Sequence, residues 1–388
     1  MKKRLQNGSS RHHGKERGKN MAQLFASPGM YIQGYGELKN IAEYVTPLGD
    51  SFLVIGSTNR IKDFGDTIRA SFAESDKLTF IEHNGSCTIS EIEKIVEIAK
   101  EKGGDVIIGM GGGKVIDTAK AVAGRLKKRV VVVPTVAASD AATTRCAVIY
   151  KNDGSEDCEE TYASNPDMVL VDTEIIMKAP KKFILAGMGD AMAKCVAAPV
   201  CYRNFQPNEL GGGITELAFS LSNLIHDILM NHGELALTAL DQGVMSQDLN
   251  KVIEMNVLIS GIGCEVNGAT TDHAFYAGFT TLKNREKIML HGEYVTFSSL
   301  ATLVLEGATK ETLDEYYSFC ARVGLPVCLA DLYLADMTEE DFRQVAQVVT
   351  ECGGTSHLPF EVTVDHAVSA MKIADAIGKM YKEGKRLV

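Results

Sequence analysis

Between residues 51 and 173 the chain alternates short β-branched runs with stretches of helical periodicity, and few folds accommodate that rhythm. SFLVIGS (51–57), LTFIEH (78–83), DVIIGMGG (105–112), RVVVVPT (129–135) and MVLVDT (168–173) read as strands. Segments 60–74, 90–102 and 114–127 carry apolar residues at helical spacing. Strands of near-continuous apolar character must be covered on both faces, which a parallel sheet flanked by helices provides. RCAVIY followed by KNDGSEDCEE, within 145–165, breaks the rhythm and reads as a hairpin with a polar tip. From Lys181 onward the strands stop. Residues 181–200, 213–231, 248–263, 267–282, 291–306, 310–323 and 338–352 fit helices, with turns at 211–213 and near Pro326 and Pro359. The expected fold class is an α/β N-terminal parallel-sheet domain (21–180) followed by an all-α C-terminal domain (181–388), with the cleft between them as the default ligand site.

The length, 388 residues, suffices for two packed cores. Residues 1–20 hold seven Lys/Arg against one acid without apolar periodicity, so a disordered basic tail is expected there, with Met21 as an alternative start. The net charge is −10, and without that tail the body is more acidic still, which argues against nucleic acid or an anionic membrane as partner. Nine cysteines lie scattered without a C-x-x-C pair, and no apolar run approaches the ~20 residues of a membrane span. A cytoplasmic location with reduced thiols is expected.

GMGGGKVIDTAKAVA (109–123) places three glycines and a lysine between a strand and a helix. Backbone amides and a helix N-terminus then converge on one spot, where an anion is stabilised. A Cβ there would hold the chain off a phosphate and bar positive φ. Neither common phosphate motif is spelled, because Val115 stands where a P-loop needs Ser or Thr and the spacing departs from G-x-G-x-x-G. In the helical half, His273 lies in NGATTDHAFYAGF, His291 opens HGEYVTFSSLATLV, and Asp190 sits in GMGDAMAKC. One carboxylate and two imidazoles from separate helices form a set that leaves a coordination position open on a divalent metal. The residues alone leave alternatives: Asp272 rivals Asp190 as ligand, Asp190 fits a helix cap, and His291 fits a solvated first turn.

Taken in order, GMGGGKVIDTAKAVA, VVVVPTVAASDAATTRCAVIY, NPDMVLVDTEIIMKAP, GMGDAMAK, DHAFYAGFTTL and HGEYV resemble the glycerol dehydrogenases of the group III, iron-type, metal-dependent alcohol dehydrogenase superfamily, from about Met21 to the C-terminus. The resemblance implies a Rossmann-like first domain in the dehydroquinate synthase-like architecture, a Zn²⁺ or Fe²⁺ ion, a nicotinamide cofactor and a homo-oligomer. It implies that Asp190, His273 and His291 hold the metal, and that Gly112, Gly113, Lys114 and Asp117 form the pyrophosphate turn. Thr135 lies beside the cofactor, Asp140 near the substrate hydroxyls, and Thr144, Cys146 and Tyr150 along the nicotinamide side. The implied chemistry is oxidation of glycerol or a related vicinal diol, or the reverse reduction, with the metal activating the alcohol and the cofactor taking hydride.

Four positions depart from the family pattern. Ser57 replaces the aspartate that binds the adenosine ribose, and with Arg60 and Lys62 close by NADP(H) stands beside NAD(H) as the alternative cofactor. Ala138 replaces a serine near the cofactor, and Tyr276 replaces a second histidine three residues after His273. Arg145 stands where a small residue is usual and suits either a carboxylate or phosphate substrate or a solvated hairpin position. A hydroxycarboxylate or glycerol-phosphate dehydrogenase is therefore the nearest alternative. A dehydroquinate synthase-type lyase would need a basic cluster of which only Arg145 and Lys194 are evident, and a non-catalytic nucleotide-binding relative would not need the metal trio.

Overall fold

The computed structural model describes residues 21–74, 76–282 and 289–388; the basic stretch 1–20, and with it the expected tail, lies outside them. The first half runs β1 (Tyr31–Gly34), α1 (Ile41–Val45), β2 (Ser51–Ser57), α2 (Thr58–Ser71), β3 (Lys77–His83), α3 (Ile89–Lys102), β4 (Val106–Gly111), α4 (Gly113–Leu126) and β5 (Arg129–Pro134). The hairpin β6 (Cys146–Tyr150) and β7 (Glu156–Thr161) follows, then β8 (Met168–Asp172) and α5 (Thr173–Lys178). Six strands form one sheet in the order β1-β8-β5-β4-β2-β3, with every pair parallel. The chain leaves β2 to one side for β3 and returns to the other side for β4. This reversal opens a crevice at the carboxyl ends of β2 and β4, the standard ligand position in such sheets. Ser57 and the glycine turn stand at those two ends.

The strands follow the reading of the sequence, with one addition. β1 is only four residues, YIQG, half-buried at the sheet edge, and its pairing with β8 rather than any pattern of its own makes it a strand. The hairpin occurs as expected, as a separate antiparallel pair. Among the described residues all nine cysteines are free.

The second half is helical: α6 (Lys182–Arg203), α7 (Glu216–Asp241), α8 (Gln247–Glu254), α9 (Ser260–Val266), α10 (Asp272–Thr280), α11 (His291–Leu305), α12 (Lys310–Val323), α13 (Glu339–Glu351) and α14 (Val364–Lys382). Thr215, Thr309 and Thr338 cap three of these helices by accepting a backbone N–H three residues on. α6 has 22 residues, and an 18-residue stretch of it has a mean hydropathy of 1.4, enough by length and composition to cross a membrane, contrary to the expectation from runs of apolar residues. Its small residues (Gly, Ala) raise its apolar character while letting neighbours close in, and five-sixths of that stretch is buried by α7, α9 and α11. It is the core helix of this half. The expected helix 248–263 is interrupted by a π-turn at Met255–Ile259. There the buried Asn256 amide donates to Ala137 O and Ile184 O, both at 3.0 Å, which ties the turn to the sheet half. The expected helix 267–282 begins only at Asp272, where the Asp272 carboxylate accepts the Thr270 N–H at 3.2 Å and sets the first turn.

Candidate active site

A cleft of about 1230 Å³ runs from the ends of β2 and β4 to the N-termini of α10 and α11. Ser57, Gly112, Gly113, Lys114, Asp117, Thr135, Ala138, Asp140, Thr144, Cys146, Tyr150, His273 and His291 all line it, whereas Asp190 lies behind its wall, fully buried. Residues scattered over more than 230 positions thus share one surface.

At the glycine turn, Gly109 and Gly111 answer to packing: a Cβ at either would run into Ala119 or Val115 of α4. Gly112 and Gly113 do not. An added Cβ would meet only ordinary contacts, with Val136 at 3.6 Å and Ala141 at 3.8 Å, and Gly112 has φ −87°. The sequence reading of a positive-φ requirement therefore fails here, because α4 starts directly from an extended Gly112. What the two glycines leave is open space on the cleft side, beside a helix N-terminus without a side-chain cap. Lys114 extends across the Tyr150 ring, 4.8 Å from its centroid. Asp117 is engaged inward: its carboxylate pairs with the buried Lys120 at 2.9 Å and accepts the Val148 N–H at 3.3 Å. Lys120 also donates to the carbonyls of Ala141 and Cys146, and so fixes the loop and strand that carry Asp140, Thr144 and Cys146.

On the hairpin, Cys146, Val148 and Tyr150 alternate onto the cleft face, and Glu159 and Glu156 oppose Val148 and Tyr150 across the register. Arg145 does not line the cleft, and its backbone N–H donates to Glu265 at 2.6 Å. At the end of β2, Ser57 caps α2 through the Arg60 N–H at 3.4 Å, and Arg60 lines the cleft while pairing with Asp63 at 3.1 Å. Lys62 is exposed and does not reach the cleft; Lys39 does, from the turn Glu37–Asn40 that packs against α2.

Asp190 on α6, His273 on α10 and His291 on α11 offer ligand atoms that all lie within 4.8 Å of one another. Asp190 Oδ1 stands 3.7 Å from His291 Nε2 and 4.0 Å from His273 Nε2. Asp272, the rival ligand on sequence grounds, instead accepts from His273 Nδ1 at 2.9 Å, which leaves Nε2 to face the trio. This donor set suits zinc or ferrous iron. Tyr276 packs edge-on against His291, ring centroids 4.3 Å apart, and its hydroxyl reaches Glu156 at 3.4 Å. Burial pushes the Asp190 carboxyl up, but the Lys194 ammonium and the two imidazoles outweigh it and hold the group well below the usual carboxylate range. Burial likewise pushes the His273 imidazole down, and the Asp272 carboxylate reverses this to a net rise.

Sequence reasoning missed the roles of Lys194, Lys120, Glu156 and Glu159. The i,i+4 spacing of Asp190 and Lys194 and the i,i+3 spacing of Asp117 and Lys120 are signals that point to paired charges. Nothing local marks the two hairpin glutamates, whose facing depends on the strand register.

Residues 28–173 match the family described as iron-containing alcohol dehydrogenase. The chain is 38% identical to the glycerol dehydrogenase of Thermotoga maritima, over 92% of this chain and 97% of that protein. It is 37% identical to the glycerol dehydrogenase of Citrobacter freundii, over 93% of this chain and 99% of the relative. The crystal structure of glycerol dehydrogenase from Schizosaccharomyces pombe superposes with a TM-score of 0.89 at 27% identity, covering 94% of this chain and 95% of the other.

Proposed function

This chain belongs to the glycerol dehydrogenases of the iron-containing alcohol dehydrogenase family, and from that premise we propose that it oxidises glycerol or a related vicinal diol to the hydroxyketone, or runs the reverse reduction. The observation that carries this reading is the convergence of Asp190, His273 and His291 at one end of a cleft whose other end is the glycine turn. A Zn²⁺ or Fe²⁺ ion held by the trio would favour ionisation of a substrate hydroxyl, and a nicotinamide in the cleft would accept the hydride.

The chain's own residues divide the remaining work. Asp272 holds the Nδ1–H of His273, so the imidazole keeps one tautomer and orientation. Asp140, on the cleft wall, accepts a hydrogen bond from the neighbouring hydroxyl of a diol. Gly112, Gly113 and Lys114 receive the pyrophosphate, Ser57 a ribose hydroxyl, and Thr135, Ala138, Thr144, Cys146 and Tyr150 flank the nicotinamide. Asp117 contributes by anchoring the turn to β6 rather than by touching phosphate. NAD(H) is the cofactor in this reading, with NADP(H) as the alternative, since position 57 carries no carboxylate to repel a 2′-phosphate. Asp140, Glu156 and Glu159 give the substrate end a negative lining that favours a neutral polyol over a hydroxy acid or a phosphate ester, and Arg145 does not offset it. A homo-oligomer, on family grounds, and a cytoplasmic location, from the dispersed free cysteines, complete the reading.

The test assays NAD⁺ and NADP⁺ separately against glycerol, 1,2-propanediol and 2-hydroxy acids, with zinc added. Reduced cofactor is expected with the diols. Absence of reduction with every diol overturns the proposal, and turnover with 2-hydroxy acids alone replaces it with the hydroxycarboxylate alternative.

A further inference from the structure

Asp190 is fully buried, and its carboxylate already has a cation. Lys194, one turn further along α6, sets its Nζ 2.6 Å from Asp190 Oδ1 and 3.1 Å from Asp140 Oδ2. The Asp190 carbonyl accepts from the same Nζ at 3.1 Å, and Asp190 Oδ2 accepts the Asp140 N–H at 3.3 Å. Oδ1 is thus the ammonium's partner, and it is also the oxygen that faces His273 Nε2 and His291 Nε2. The donor atom that completes the divalent site is the one the lysine holds.

That arrangement has an electrostatic cost for a divalent ion. A carboxylate oxygen has lone pairs for two partners. A single and a double positive charge a few ångströms apart nevertheless repel, and in a protein interior the effective dielectric is about 20 rather than 80, so the repulsion is far from screened. Nor can the lysine retreat to water. It is 5% exposed, it does not line the cleft, and its stem lies beside Gly263. Among the described residues its only other carboxylate within ion-pair reach is Asp140, which itself faces the substrate end of the cleft.

We propose that Lys194 is an internal cation that competes with the divalent metal for Asp190 Oδ1, with Asp140 as its second partner. The inference rests on reading Asp190, His273 and His291 as the metal site. The lysine keeps the buried carboxylate compensated in the metal-free protein and lowers the affinity the trio would otherwise have. Occupancy of the trio also becomes linked to Asp140, because an ammonium that gives up Asp190 leans on the acid beside the substrate. Lys194 is a positioning residue, sealed from substrate, and acts through these two carboxylates.

Zinc affinity of the metal-free full chain, measured by calorimetry and by competition with a chromophoric chelator, tests this without reference to turnover. Lys194→Met, which keeps the stem and removes the charge, should tighten the zinc Kd at least about tenfold. Lys194→Arg, which keeps the charge, should not tighten the Kd, whatever its bulk does to packing. The metal-free Lys194→Met protein should melt lower than wild type, and excess zinc should restore it. Lys194→Gln gives the same comparison where Lys194→Met does not fold. An unchanged or weaker Kd in the neutral variants overturns the proposal and leaves Lys194 a support that orients Asp190 for the metal. His273→Ala separates the two levels of the argument: if it binds zinc as wild type does, the trio is not the metal site, and the proposal falls with that reading.

Discussion

Ser57 joins two functions at the tip of β2. It caps α2 through the Arg60 N–H, and it lines the end of the cleft proposed for the adenosine ribose. Aspartate caps a helix as well as serine does, so Ser57→Asp preserves the local fold while adding a carboxylate at the ribose. That carboxylate accepts from a 2′-hydroxyl and repels a 2′-phosphate. The ratio of kcat/KM for NADP⁺ to that for NAD⁺ should fall at least about tenfold, whichever cofactor wild type prefers, since a like-charge contact of this kind is worth more than 1.4 kcal/mol. An unchanged ratio would put the adenosine end elsewhere. The place of Ser57 on the cleft was legible because a strand end in an α/β sheet is a fixed address. Asp272 was not. It and Asp190 present equally suitable carboxylates in the sequence, and only the start of α10 at Asp272 decides that one orients an imidazole while the other faces it. Lys194 escaped for a similar reason, since its second partner, Asp140, lies in the other half of the chain.

Between helices, the geometry of the trio depends on how closely α6 and α11 cross. A Cβ on Gly292 would fall on the Ala186 carbonyl, and one on Gly189 would meet Thr296 Oγ1 and the Gly292 carbonyl. These two glycines flank His291 and Asp190, so the backbone approach that needs them also brings the two ligands together. Gly292→Ala should lower stability by about 1–3 kcal/mol through overpacking and weaken zinc binding by separating the helices. Gly353→Ala, where an added Cβ meets nothing within 4 Å, should change stability by less than about 0.5 kcal/mol and leave zinc binding intact. Denaturant unfolding and zinc titration of both variants check this, and equal effects would remove the crossing from the argument. Helices of this kind were readable from periodicity, whereas their interruptions were not. The apolar pattern runs unbroken through VIEMNVLISGIG, yet a π-turn interrupts it where Asn256 binds two carbonyls outside its own helix. The strands were the most legible elements, because burial on both faces demands continuous β-branched runs. β1 was the exception, since an edge strand of four half-buried residues carries no such demand.

The two halves do not behave as separate bodies in their packing. One hydrophobic cluster includes Leu53 and Ile107 of the sheet, Ala137 and Ala142 of the loop after β5, and Met188, Met192 and Leu229 of the helices. Shared burial of this kind couples unfolding, so thermal denaturation should show a single transition rather than one per half. Ligands then report on the whole molecule. A ligand that binds only the folded state stabilises it by about 2.7 kcal/mol at 100 times its Kd, which for 150–250 residues raises Tm by several degrees and for this longer chain by somewhat less. The glycine turn and the Ser57 end use no metal ligand, so the nicotinamide cofactor should raise Tm in chelator-treated and zinc-loaded protein alike. The substrate end is built around the trio, so glycerol at a fixed concentration should add a shift only in the zinc-loaded protein, above the small nonspecific rise seen with a matched osmolyte. Equal glycerol shifts with and without zinc would mean that the diol does not bind at Asp190, His273 and His291. Two resolved transitions, only one of them moved by cofactor, would mean that the common core does not couple the sheet to the helices, and the cleft would have to be treated as the seam between independent units.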